Sequence, residues 1–339
     1  MERKKKLRIA LELAMLPLTA VLLYAWMFWY GCRLMPERTT YGAVWSSYLQ
    51  ERENSVDVLF LGSSRAYCNV SPARIYEDTG ISSYLMAGPS QTVSLTYYYL
   101  RECLRTQSPK YVFVEVSGAY YGLYEEYSMV NVCYMPASIN RLLAARTCEE
   151  GITELALYPL QEFHYRVYEK DRDAPPERDG RLLCGFTPML VSRAQTERSL
   201  RKPGVRPGDE RYLYNLGWLQ RIAELCEEEG IACVFYLAPT MQPYSDEDTG
   251  RLFADLRALP CAAAENWQDL NTELGIDNAA DWYDAIHFNC AGAQKFSDYL
   301  ADYLLALGAG PTQDPDEALW AERIAYLRPM QVEPAENGT

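Results

Sequence analysis

The chain has 339 residues, 49% of them hydrophobic and 23% charged, and a formal net charge of −14 at pH 7. That apolar content suffices for a real core and excludes wholesale disorder, and the acidic balance excludes binding to a nucleic-acid backbone, which needs excess Lys and Arg. Two histidines, and no C-x-x-C pair among ten cysteines, argue against a structural zinc site.

In chain order, "MERKKKLR" (1–8) forms a basic head, and the twenty residues from Leu13 to Cys32 carry no charge. As a helix that run is long enough to cross about 30 Å of hydrocarbon. Trp26, Trp29 and Tyr30 crowd its far end as an interfacial belt would, and membrane helices tolerate a proline such as Pro17. Segment 9–32 is therefore read as an uncleaved signal anchor. It would make this a single-pass cell-membrane protein with a cytoplasmic N-terminus and an extracytoplasmic main domain. A cleaved signal peptide is the rival reading, but the apolar run is longer than a signal core and no small-x-small site follows. Head and span hold five of the 32 basic and two of the 46 acidic residues, so the balance beyond Cys32 is −17.

Residues 33–54 read as a polar linker with a short helix in "YGAVWSSYLQERE". A strand at Val56–Leu61 follows. The helix "SPARIYEDTG" starts on a Ser-Pro cap and closes on Gly80. "ISSYLMA" is a strand, "SQTVSLTYYYLRECLRT" a helix and "KYVFVEVS" a third strand. Near-continuous apolar strands alternating with helices predict a three-layer α/β/α sandwich around a parallel sheet. Residues 118–210 break the rhythm and read as a tyrosine-rich insertion over one end of the sheet, with an exposed loop near Asp173–Asp179. Its tyrosines, such as Tyr134, either offer faces to sugar rings or pack as a lid.

The pattern resumes with the helix "NLGWLQRIAELCEEEG", the strand "IACVFYLAP", a helix at Glu247–Leu259, the stretch "NWQDLNTELG", the loop "DWYDAIHFN" and the helix "AGAQKFSDYLADYLLALG". The main domain thus spans 55–308, and 309–339 is expected as a loosely held tail. Cys226 and Cys233 flank a helix–strand junction and read as a buried pair rather than a bridge.

Chemistry concentrates in two short blocks. Gly62-Ser63-Ser64 ends the first strand, on the rim where parallel α/β sheets bind ligands. Glycine permits the turn, and a serine after it projects its oxygen outward. A serine needs a base. His287 lies three residues after Asp284, within reach of a carboxylate that would fix its tautomer. His164, in "QEFHYRVYEK", has no such companion and reads as a surface or packing residue. The plain readings are a helix-starting turn for GSS and a capped loop for D-x-x-H. GSSRAY matches neither G-x-G-x-x-G nor a P-loop, which argues against a nucleotide site.

Together the two blocks resemble the SGNH (GDSL-like) hydrolase superfamily, and most closely its membrane-anchored branch of DltD-like and alginate O-acetylation-type proteins. That resemblance implies a flavodoxin-like fold with Ser64 as nucleophile, Asp284 and His287 as acid and base, and backbone N–H groups of Ser64 and Gly88 (in "LMAGPSQT") as the oxyanion hole. It implies acyl transfer through a serine ester without metal or organic cofactor, on a cell-surface polysaccharide or teichoic-acid-like polymer, partnered by a multi-pass membrane acyltransferase. The match covers roughly 55–117 and 212–306. It fails at the third block, where the family's Gly-x-Asn is replaced by "VEVSGAYYG"; Ser117 or Gln91 are the candidates to stand in. That gap leaves a second reading, a catalytically inactive scaffold in envelope-polymer assembly.

Overall fold

The computed structural model describes residues 2–33, 44–122, 127–128, 131–132, 135–136, 138–148, 178–195 and 197–334. His164, Tyr134 and most of the loop near Asp173 lie outside them. The first helix, α1 (Glu2–Arg33), is continuous through Pro17. Among the described residues, no helix is long and apolar enough to cross a membrane. The expected span rests in part on side chains outside that set.

The expected linker contains a core element. In α2 (Val44–Tyr48), Trp45 and Tyr48 are buried, with Trp45 edge-on to Tyr99 at 4.9 Å. Then follow β1 (Val58–Gly62), α3 (Ser64–Tyr67), α4 (Pro72–Thr79), β2 (Ser83–Ala87), α5 (Val93–Cys103) and β3 (Tyr111–Glu115). As the sequence predicts, Ser71 caps α4, its Oγ accepting the Arg74 N–H, and Gly80 closes it in the left-handed conformation at φ 70°. A 3₁₀ turn (Val116–Tyr120), α6 (Ile139–Ala145), α7 (Gly180–Leu183) and β4 (Val191–Ser192) lead to α8 (Glu210–Glu228), β5 (Ala232–Leu237), α9 (Asp246–Arg257), β6 (Ala263–Asn266), α10 (Cys290–Ala306), α11 (Glu317–Leu327) and β7 (Glu333–Pro334).

Five strands form one parallel sheet in the order β2-β1-β3-β5-β6. Alternate side chains enter two separate cores, which is why the strands read as unbroken apolar runs. Leu59, Leu61, Val112, Val114, Phe235 and Leu237 pack toward α2, α5, α8 and α9, whereas Val58, Phe60, Phe113, Val234 and Tyr236 pack toward α3, α4 and α10. The molecule is an α/β sandwich. From β1 the chain steps outward to β2 and then returns to the other flank at β3, so the topological switch lies between the carboxyl ends of β1 and β3.

Three sequence expectations need correction. The strand β6 was not expected, because "AAEN" is a poor strand former; pairing with β5 along Val234–Leu237 makes it one. The tail is docked through residue 334: Trp320, Arg323 and Leu327 are buried, and Asp57 accepts the Thr312 and Gln313 N–H groups at 2.9 and 3.0 Å. The first strand begins at Val58 rather than Val56. Cys226 and Cys233 are buried free thiols, as read from their spacing.

Candidate active site

The site grows from the end of β1. Gly62 has φ 140°, in the region that favours glycine, and a Cβ there would stand 2.9 Å from the Glu115 Cβ. Glycine thus allows β1 and β3 to close together at the switch point. Ser63 follows in extended conformation as the cap of α3. It is buried, whereas Ser64 is half-buried, so Ser64 is the hydroxyl that reaches the crevice.

The D-x-x-H loop folds on itself. Trp282 and Phe288 form an antiparallel bridge, and the Tyr283 N–H donates to the His287 carbonyl at 3.0 Å. Asp284 Oδ1 accepts the Ile286 and His287 N–H groups at 2.8 and 2.9 Å, which aims Oδ2 at His287 Nδ1, 2.9 Å away. On the far side of the ring, His287 Nε2 lies 2.7 Å from Ser64 Oγ, across 223 residues of chain. Burial works against ionising Asp284, but the hydrogen bond and charge of His287 and the two backbone donors outweigh it and hold the carboxyl below its ordinary value. An ionised Asp284 keeps the proton on Nδ1 and leaves Nε2 as the acceptor of the Ser64 O–H.

Three further contacts position this loop. Asn69 Oδ1, one turn beyond Ser64, accepts the Phe288 N–H at 2.9 Å. Thr240, just past β5, donates its hydroxyl to the Ala285 carbonyl at 3.1 Å, and the Met241 N–H reaches the same oxygen at 2.9 Å. Asn289 caps α10, accepting the Ala291 and Gly292 N–H groups. Asn289 belongs to the polar N…G stretch that follows the histidine in the resembled family, whereas Asn69 and Thr240 belong to no motif, so nothing in the sequence singled those two out.

Gly88 follows β2 on the opposite flank of Ser64. Its N–H faces the Gly62 carbonyl at 3.4 Å, too long for a strong bond. A Cβ at Gly88 would overlap Asn131 Oδ1 at 2.1 Å and stand 3.2 Å from Gln91 Oε1. Gln91 therefore lies beside Gly88. Ser117 does not: its hydroxyl donates to Glu115 at 2.6 Å and contacts the Tyr121 hydroxyl at 2.9 Å. Asn131 is fully buried, its Nδ2 donates to the Pro89 carbonyl at 3.0 Å, and its main-chain carbonyl accepts the Tyr99 hydroxyl at 2.7 Å. It was missed because it comes from the insertion and from no strand end. Tyr120, from the same insertion, is buried against Tyr244 at 4.3 Å and so packs rather than offering a free face. Among the described residues, no group of three His, Cys, Asp or Glu side chains is arranged to hold a metal.

No family model matches the chain, and no curated protein matches it at a significant level. Among solved structures it is similar, at 9% identity, to a hypothetical agmatinase from Burkholderia thailandensis over 76% of this chain and 88% of that one, with a TM-score of 0.21. A modular endo-β-1,4-mannanase from Cellulomonas fimi is similar at 14% identity over 78% and 75%, with a TM-score of 0.19. Both scores are too low to indicate a shared fold.

Proposed function

We propose that this chain is a serine esterase or O-acyltransferase of the SGNH type, held in the cell membrane by segment 9–32, with its main domain extracytoplasmic and acting on a cell-surface glycopolymer. The observation that supports the chemistry is the unbroken relay Ser64–His287–Asp284, with contacts of 2.7 and 2.9 Å. His287 takes the Ser64 proton as the oxygen attacks an ester carbonyl. Charge on the tetrahedral oxygen is met by the Ser64 N–H, which lies in the first turn of α3 and has no intrahelical partner, and by the Gly88 N–H. Asn131 packs on Gly88 through Oδ1 while its Nδ2 donates to the Pro89 carbonyl, so it braces the Gly88 turn rather than donating to the oxyanion. The imidazolium, steadied by Asp284, returns the proton to the leaving alcohol, and water or a sugar hydroxyl then releases the acyl group. Water makes an esterase, a sugar hydroxyl a transferase. A multi-pass acyltransferase as donor partner rests on the family resemblance alone.

The second reading, an inactive scaffold, draws on the commitment of Ser117 to Glu115, which leaves the third block without its own donor. A fluorophosphonate probe separates the two. The esterase reading expects one label per chain, lost in Ser64→Ala, and turnover of short-chain nitrophenyl esters that falls by about 10³-fold or more in His287→Ala. Adding oligosaccharide acceptors should divert acyl groups from water if the enzyme is a transferase. A chain that neither labels nor turns over ester is the scaffold.

A further inference from the structure

The last part of the insertion lies across the rim that carries Ser64. Arg193 donates its backbone N–H to the Trp282 carbonyl at 2.8 Å, two residues before Asp284, and its guanidinium carbon stands 4.9 Å from the Tyr283 ring centre. The Ser199 and Arg201 N–H groups reach the Met241 and Pro243 carbonyls, just past β5, at 3.2 and 2.8 Å. The Val205 N–H ends the run on the Tyr120 carbonyl, after β3, at 3.0 Å. This strap therefore passes from the D-x-x-H loop over the carboxyl ends of β5 and β3. Those strands stand on the flank of β1 opposite to β2 and Gly88, which is the flank His287 occupies.

The charge of the strap opposes that of the body. Residues 193–206 hold Arg193, Arg198, Arg201, Lys202 and Arg206 against one carboxylate, Glu197, in a chain whose balance beyond Cys32 is −17. Arg198 pairs with Asp269. Asp209 accepts only the backbone N–H of Arg206, at 3.0 Å. Among the described residues, the side chains of Arg193, Arg201, Lys202 and Arg206 make no ion pair or hydrogen bond. Arg201 is half-buried and the other three are exposed. Like charges on one short segment repel, yet backbone bonds to three separate loops hold these together on the rim. A guanidinium with free N–H groups takes a phosphate or carboxylate through paired, charge-assisted bonds.

In the serine-ester reaction His287 returns its proton to the leaving alcohol, so the alcohol part of the ester must lie on the His287 side of the serine. That is the side of the strap. We propose that residues 193–206 form an anion-binding subsite that selects esters whose alcohol part carries a phosphate or carboxylate. The inference rests on the serine-ester reading above and adds the charge of the substrate to it.

The test compares nitrophenyl acetate with the same ester bearing a carboxylate or a phosphonate on the nitrophenyl ring, which is its alcohol part. The full-length chain is used at low salt, and each rate is divided by that ester's own hydroxide-catalysed rate. Single exposed ion pairs are weak, but several cations on one anion should together favour the charged esters by about tenfold in kcat/KM, expressed in KM. The preference should fall toward one at about 0.5 M salt, where exposed charges are screened. It should also vanish at low salt when Arg193→Gln, Arg201→Gln, Lys202→Gln and Arg206→Gln are combined. The larger gain, with carboxylate or with phosphonate, identifies which group the strap takes. Equal kcat/KM for neutral and charged esters in wild type, or a preference that survives the combined variant, overturns the subsite and leaves the serine reading intact. If the combined variant does not fold, Lys202→Glu alone, which reverses one exposed charge, is required to lower the preference. A chain that turns over none of the three esters and takes no fluorophosphonate label overturns the esterase reading and the subsite with it.

Discussion

Asp284 uses one oxygen to accept two backbone N–H groups and the other to hold the imidazole, so its orientation is fixed before any substrate arrives. Asp284→Asn keeps the shape but no longer dictates which ring nitrogen carries the proton. We expect kcat for nitrophenyl ester hydrolysis to fall by about 10³- to 10⁴-fold with KM little changed. Asn131→Ala tests the brace on the Gly88 turn: losing its bond to the Pro89 carbonyl should lower kcat by about 10- to 100-fold through misplacement of the Gly88 N–H. A kcat within twofold of wild type would mean that the Gly88 turn holds its place without Asn131. Ser64, His287, Asp284 and Gly88 were legible as motif positions. Asn131, Asn69 and Thr240 were not, because each acts only through a partner distant in sequence.

At the scale of elements, the site depends on how closely β1 and β3 end together. Gly62→Ala would place a methyl against Glu115 on a backbone whose φ of 140° alanine resists. It should destabilise the fold by about 1–3 kcal/mol in urea titrations. An unchanged midpoint would mean that the two strand ends relax apart. The strands β1, β2, β3 and β5 and helices α4, α5, α8, α9 and α10 were all readable from apolar spacing and caps. β6 escaped notice because it is a strand only by virtue of the edge it completes beside β5.

For the molecule as a whole, burial places two carboxyls at risk. In the interior, burial raises Glu115 above its ordinary value of 4.5 despite the opposing pull of Arg65 and the Ser117 donors. A carboxyl that holds its proton more tightly when folded contributes most below that ordinary value, and its contribution is lost as pH rises through the folded value. Glu115→Gln cannot ionise, so its Tm relative to wild type should improve as pH rises from 4.5 through the folded value and then level off. A Tm difference independent of pH would contradict this. At the docked tail, Glu51 pairs with Arg323, both nearly inaccessible. Removing one partner leaves a buried charge, and Glu51→Gln should cost about 3–5 kcal/mol in equilibrium denaturation.

The sequence by itself determined the local matters: the parallel α/β rhythm, the caps at Ser71 and Gly80, the glycine that permits the turn into Ser64, and the one-turn spacing of Asp284 and His287. Those follow from periodicity and short-range geometry, which neighbours in the chain decide. Only the tertiary structure decided that Ser64 and His287 meet, that Arg65 beside that serine is fully buried, and that residues 309–334 dock through α11 on α4 and α7. Each of those depends on which surfaces many weak burial terms bring together, and no short stretch of residues carries that sum.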